Sequence, residues 1–244
     1  MNQETIIKTN NLTKEFDIKK AVSNLNIEIN KGEIFGFLGP NGSGKTVTIK
    51  MLCGLIKPTS GNAIINSHSV LTEGETIRRE IGYMSQKFSL YDDLTIKQNL
   101  LFYSQLYNIN PQIQEKRIQE VMDLTHVKSE QNKQVAKLSG GFKQRLAFAC
   151  ALIHNPQIIF LDEPTAGIDP VARKEMWDLF FKLADNGLTL FITTHYMDEA
   201  ERCTKLGYIF NGNLVAYGLT KELASSKKSL EDLFVSITKV QNGN

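Results

Sequence analysis

Leu25, Ile27 and Ile29 alternate with polar residues, the two-residue period of a half-buried strand. After the turn Asn30-Lys31-Gly32, residues 33–38 predict a second strand. A helix is expected over 45–53, because Gly54 stands where a helix end needs positive φ and Pro58 follows shortly. Short strands are expected at 63–65 and 81–85. The pattern then changes. Between residues 95 and 151 no strand is expected, and Ile96, Leu100, Tyr103 and Tyr107 recur at helical spacing. Pro111 opens a further helix running to about Leu124. Strand–helix alternation resumes with the continuous apolar run 158–161, as in a strand buried on both faces. Asp169-Pro170 combines a capping carboxylate with proline at the first helical position, and Met176, Phe180 and Leu183 form the inner stripe of that helix. Residues 188–192 predict another buried strand. Two short strands around Tyr208 and Leu214, turning at Asn211-Gly212-Asn213, precede a polar helical tail. The expectation is an α/β domain, 1–94 with 156–244, interrupted by a helical insertion over about 95–155.

Composition narrows the classes. The 244 residues are 41% hydrophobic and 22% charged, a globular balance rather than a disordered one. Basic and acidic residues nearly cancel at 28 against 26, so no nucleic-acid footprint is expected. Cys53, Cys150 and Cys203 are scattered without a CxxC pair, which argues against a disulfide framework and structural zinc. Cys150 lies in the apolar run 146–153 and is expected to be buried. That run is too short to span a bilayer, and the first ten residues lack the blocks of a signal peptide. No membrane span of its own is expected.

Gly39-Pro40-Asn41-Gly42-Ser43-Gly44-Lys45-Thr46 fits G-x-x-x-x-G-K-[ST] in full, between a predicted strand and a predicted helix. Phosphate oxygens need several inward-pointing backbone N–H groups, and glycines allow the tight curl that supplies them. The helix aims its positive end at the phosphates. Lys45 would add a point charge to the β and γ phosphates, and Thr46 would place a hydroxyl on Mg2+. The run 158–161 leads directly into Asp162 and Glu163. Strand alternation is expected to send these carboxylates in different directions. Asp162 is placed to hold Mg2+, and Glu163 to orient or deprotonate an attacking water. A nucleoside triphosphatase or a kinase follows from these features.

Leu138-Ser139-Gly140-Gly141-Phe142-Lys143-Gln144-Arg145 selects among them. The segment resembles the signature of ABC (ATP-binding cassette) ATPases, and the resemblance covers nearly the whole chain. It implies a P-loop NTPase sheet core, an N-terminal antiparallel β subdomain and an inserted α-helical subdomain. Ser139, Gly140, Gly141 and Gln144 would then face the ATP of a second, head-to-tail subunit, since one domain does not present both anion cradles to one γ-phosphate. By the same resemblance Gln86 touches Mg2+ and links the sheet to the helical block, Asp169 belongs to the dimer seam, His195 senses the γ-phosphate, and Phe16 stacks on adenine. Two departures stand out: Phe142 occupies a position commonly Gln, and Ala166-Gly167-Ile168-Asp169 replaces the more usual Ser-Ala-Leu-Asp. His68, His126 and His154 match no motif and are expected to be structural or at the surface.

The wording of residues 82–109, of HYMDEAER (195–202) and of SLEDLFVSIT (229–238) resembles the bacterial multidrug exporter branch that includes daunorubicin-resistance ATPases. That resemblance implies Mg-ATP as ligand, a second ATPase subunit, a separate transmembrane permease, and a place at the cytoplasmic face of the membrane. Phe88, Leu90 and Tyr91 are apolar in an expected loop; either a permease segment covers them or they tuck into the helical block. The competing readings are a non-transport ABC factor in repair, chromosome structure or translation, and a nucleotide-gated interaction module. The short insertion, the single cassette and the presence of Glu163 and His195 count against them. No guanine-reading N-K-x-D follows the phosphate loop, which counts against a GTPase.

Overall fold

A long first strand, β1 (Thr5–Phe16), organises the N-terminal sheet of this computed structural model, which describes residues 4–225 and residue 232. It pairs antiparallel with β2 (Lys19–Leu25), β3 (Glu28–Asn30) and β5 (Ser60–Ile65). Leu25, Ile27 and Ile29 are all buried, yet they do not share one strand. The chain breaks between β2 and β3 because Asn24 takes φ +48° and the Asn26 amide bonds to Asn24 O and Asn11 Oδ1, both at 2.9 Å. Asparagine tolerates the left-handed region through such local bonds. Strand β4 (Ile34–Leu38) is buried along its whole length and runs into α1 (Lys45–Leu52). Cys53 and Gly54, the latter at φ +64°, end that helix as its sequence predicts. Beyond β5 come β6 (His68–Ser69) and α2 (Gly74–Glu80), two short elements that the periodicity does not announce.

The chain divides into two compact units: residues up to Arg78 together with those from Thr189 onward, and Arg79–Leu188. The second unit begins with β7 (Ile81–Met84), which pairs parallel with β8 (Ile158–Asp162). Between them lie α3 (Ile96–Leu106), α4 (Pro111–Leu124), two 3-10 turns at Lys128–Glu130 and Val135–Lys137, and α5 (Gly140–Leu152). Strand pairing in this insertion is limited to a single bridge, Thr95 with Gln134, among the described residues. Helix α3 starts at a full capping box, with Thr95 and Gln98 satisfying each other's backbone N–H groups. Helix α5 is buried almost all round, and a Cβ at Gly82 of β7 would lie 2.5 Å from Ala151 O, so only glycine admits this close approach. Helix α6 (Pro170–Asp185) follows β8, with Asp169 capping Val171 N and Ala172 N at 3.0 Å.

The remaining elements return to the first unit: β9 (Thr189–Thr194), α7 (Met197–Ala200), β10 (Lys205–Phe210), β11 (Asn213–Leu219) and α8 (Thr220–Ser225). Its strand order is β6-β5-β1-β2-β11-β10-β4-β9, with β3 also on β1. The antiparallel strands are thus continuous with a parallel set in which β4 lies between β9 and β10. A core of Phe35, Phe37 and Phe191 fills this parallel part. No helix of the described residues is long and apolar enough to cross a membrane. Most of SLEDLFVSIT lies outside the described residues.

Candidate functional site

The first unit holds the phosphate loop. It leaves β4 at Leu38 and enters α1 at Lys45. Its shape is set by backbone clearances. A Cβ at Gly39 would lie 2.3 Å from Ile209 O, and one at Gly44 would lie 2.4 Å from Ala21 O. Gly44 also takes φ +112°, which side-chain-bearing residues rarely adopt. Pro40, Asn41 and Gly42 are exposed at the rim, and Thr46 is half-buried on the first turn of α1. Lys45 is buried, its ammonium held by Gly39 O at 2.7 Å and Pro40 O at 3.2 Å. The loop's own carbonyls thus keep the cation over the curl. Ser43 Oγ is buried with no hydrogen-bond partner, beside Gly39, where a Cβ would come within 2.7 Å of it. A curl of backbone N–H groups, a lysine and an unsatisfied hydroxyl fit a phosphate chain.

Strand β9, beside β4, ends at Thr194, and His195 follows it exposed, its ring 4.1 Å from that of Tyr196. The strand end is pinned from below by Glu199, which is buried and accepts from Thr194 Oγ1 at 2.6 Å. Glu199 thus fixes the residue that precedes His195, and an acid in the short helix after a strand is its only sequence trace. Phe16 ends β1 about half-exposed, with the Lys14 ammonium 5.0 Å from its ring centre. Its ring is therefore not part of the core.

The second unit holds the carboxylates and the signature. Asp162 ends β8 and is 2% exposed. Glu163 is half-buried, and a left-handed turn aims it, φ +53°, rather than strand alternation. A non-glycine residue there is strained, and such strain is concentrated at functional sites. Gln86 is exposed just past β7, and its Nε2 donates to Glu163 Oε2 at 3.4 Å. Two predicted site residues from distant segments therefore meet within this unit. Ser139 is exposed at the start of α5 and its side chain makes no capping bond, so its hydroxyl and the first N–H groups of the helix are turned outward. Gln144 differs: it is buried, and its Nε2 donates to Pro164 O. Phe142 packs under the Arg145 guanidinium, 5.1 Å from its ring centre, which accounts for an aromatic residue at this place. Asp169 is exposed, and the Ala172 N–H it caps is the first reason its carboxyl stays below the usual carboxylate range.

The loop after Gln86 is built from side chains. Asn99 is fully buried; its Oδ1 accepts from Tyr91 N at 2.9 Å and its Nδ2 donates to Tyr91 O and Thr95 O at 3.1 and 3.0 Å. Tyr103 Oη donates to Ser89 O, and Ser85 Oγ to Lys87 O at 2.6 Å. Phe88 and Leu90 line a small cavity with Tyr103 and Cys150, while Phe88 and Tyr91 remain partly exposed. The Tyr91 ring meets that of Phe102 edge-on, with centroids 4.6 Å apart. Of the histidines outside the motifs, two are structural and His126 is exposed at the surface. His68 pairs with Glu73 at 2.8 Å, and His154 stacks on Tyr107 with centroids 3.7 Å apart. Burial lowers the pKa of His154 to about 4.

A strand–phosphate loop–helix, a buried strand ending in two carboxylates, and a serine-glycine helix start define a nucleotide-binding cassette. The sequence profile of the ABC transporter family matches residues 22–166, and the chain belongs to that family. The family's cassette implies ATP. The probable multidrug ABC transporter ATP-binding protein YbhF of Escherichia coli is 43% identical over 228 residues, covering 93% of this chain and 39% of YbhF. The chain thus spans about two fifths of the length of that relative. The bacitracin transport ATP-binding protein BcrA of Bacillus licheniformis is 42% identical over 86% of this chain and 69% of BcrA. Among solved structures, a dimeric ATP-binding cassette in a post-hydrolysis state, bound to ADP and Pi, superposes with a TM-score of 0.81. It is 29% identical and covers 88% of this chain and 98% of that one.

Proposed function

We propose that this chain binds Mg-ATP and hydrolyses it in a head-to-tail dimer, driving export of a drug or another small molecule through a separate permease. The observation that carries hydrolysis is Glu163, turned out of a buried strand end by a strained backbone and met there by Gln86. Export is supported by the names of the relatives, one for multidrug and one for bacitracin transport.

In this reading Gly39 to Thr46 hold the phosphates and Phe16 stacks on the adenine. Thr46, Gln86 and Asp162 would hold Mg2+, which when bound neutralises charge on the phosphates. Glu163 orients the attacking water and takes its proton, His195 contacts the γ-phosphate, and Lys45 stabilises its developing charge. Ser139, Gly140 and Gly141 close on the partner subunit's ATP, with Asp169 at the seam, so ATP favours the closed dimer by differential affinity. The permease would hold the chain at the cytoplasmic face of the membrane.

The test is Glu163→Gln. Turnover should fall by about 10²–10⁴, as for loss of a general base, while ATP binding persists and an ATP-dependent dimer accumulates on size exclusion. Near-normal turnover would remove Glu163 from this role.

A further inference from the structure

The block around Gln144 joins parts that the proposed mechanism assigns to different ATP molecules. In the head-to-tail dimer, Ser139 at the start of α5 serves the partner's ATP, whereas Glu163 serves the ATP of its own chain. Within one chain these parts are mechanically tied. Gln144, on the second turn of α5, is 3% exposed, and its amide donates to the carbonyl of Pro164, the residue after Glu163. Proline has no N–H, so this carbonyl is its only polar backbone group. The other end of the amide, Gln144 Oε1, is buried with no hydrogen-bond partner, so the bond to Pro164 O is the amide's contact to the Glu163 turn.

Neighbouring contacts make the tie stiff. A Cβ at Gly141 would lie 3.3 Å from Ala172 Cβ, so the first turns of α5 and α6 are in direct packing. Arg145 Nη2 reaches Glu175 Oε2 of α6 at 3.0 Å. Ala166 N donates to Glu163 O at 3.2 Å, closing the turn that aims Glu163. A displacement of the signature end of α5 therefore reaches the Glu163 turn through Gln144, with little slack elsewhere.

We infer that Gln144 is a positioning residue that makes the signature helix and the Glu163 turn move as one body, so that each chain relays between the ATP it closes on and the ATP it holds. This rests on the proposed head-to-tail dimer. It acts through Glu163 and does not touch nucleotide. Replacing it should lower kcat and leave the ATP concentration for half-saturation unchanged, because the phosphate loop is untouched.

The test uses two full chains joined by a flexible linker, with ATPase activity as readout. Ser139→Ala in both halves should abolish activity; if activity persists, the dimer reading falls and this inference with it. Ser139→Ala in one half disables one site directly. If Gln144 relays that loss, the remaining site also slows, and activity drops to about a tenth rather than about a half of the unlesioned fusion. Repeating the pair with Gln144→Met in both halves should bring the ratio back to about a half. A purely structural role would scale both fusions alike and leave the ratio where it was. An unchanged ratio, or a ratio of one half with Gln144 intact, overturns the inference. If Gln144→Met fails to fold, Gln144→Leu serves the same comparison.

Discussion

The phosphate loop and the loop after Gln86 perform comparable structural tasks by opposite means. Residues 39–46 are shaped by backbone against backbone: Gly39 against Ile209 O, Gly44 against Ala21 O. Residues 86–95 are shaped by side chains that reach in from helices, chiefly Asn99 and Tyr103 of α3. A loop made by backbone clearances admits few alternatives, since a single Cβ breaks it. A loop made by side-chain bonds is adjustable, because each anchor can be exchanged separately. The first suits a fixed ligand such as a phosphate chain. The second suits a surface that must match one particular partner.

Gly44→Ala should produce the largest effect. The positive φ alone costs ~1–3 kcal/mol, and the added methyl group meets Ala21 O. ATP affinity, measured by calorimetry, should fall at least about tenfold, the equivalent of ~1.4 kcal/mol. Asn99→Leu should rank second and act differently. It leaves Tyr91 N without the carbonyl oxygen it donates to and removes the second donors of Tyr91 O and Thr95 O, at a cost of ~1–3 kcal/mol, seen as a fall of several degrees in Tm, with ATP affinity unchanged. A Gly44→Ala chain that binds ATP normally, or an Asn99→Leu chain that does not, would break the contrast between the two loops.

The smallest effect concerns His154, which belongs to neither loop. Burial lowers its pKa to about 4 from 6.5, outweighing its bond to Ile81 O. The unfolded chain therefore takes up the proton first as pH falls. The stability that depends on neutral His154 is full above about pH 6.5 and is lost progressively toward pH 4. His154→Phe keeps a ring against Tyr107 and removes the titration. The difference in Tm between the two chains should accordingly change sign or shrink from pH 7 to pH 4.5. Parallel Tm curves would show that His154 does not titrate in this window.

What was legible in the sequence follows the same division. The phosphate loop was readable residue by residue, because a backbone that needs positive φ or close approach leaves glycine as its record. The helix starts at Asp169-Pro170 and Pro111 were readable because capping is local. The 86–95 loop was not, since its anchors lie on a helix whose pattern shows only that Asn99 is polar. The break at Asn24 leaves no mark in the pattern because the apolar period continues across it. Glu163 was legible as a residue but not in its left-handed backbone, which a period-two strand does not announce. Gln144 reads as part of the signature, and only its burial against Pro164 sets it apart from Ser139.

The hairpin turn at Asn211-Gly212 ties the phosphate loop to a distant part of the chain. Gly212 N donates to Ser43 O at 3.0 Å, Ser23 N donates to Gly212 O at 2.8 Å, and Ile209 O forms the wall that Gly39 must clear. The phosphate loop is therefore propped by some of the last residues of the described chain. During synthesis, residues 39–46 leave the ribosome long before the turn that braces them. Such distant pairings form late, because loop closure must come first. Nucleotide binding should thus wait on this distant pairing, so that a chain cut before Asn211 should not hold ATP.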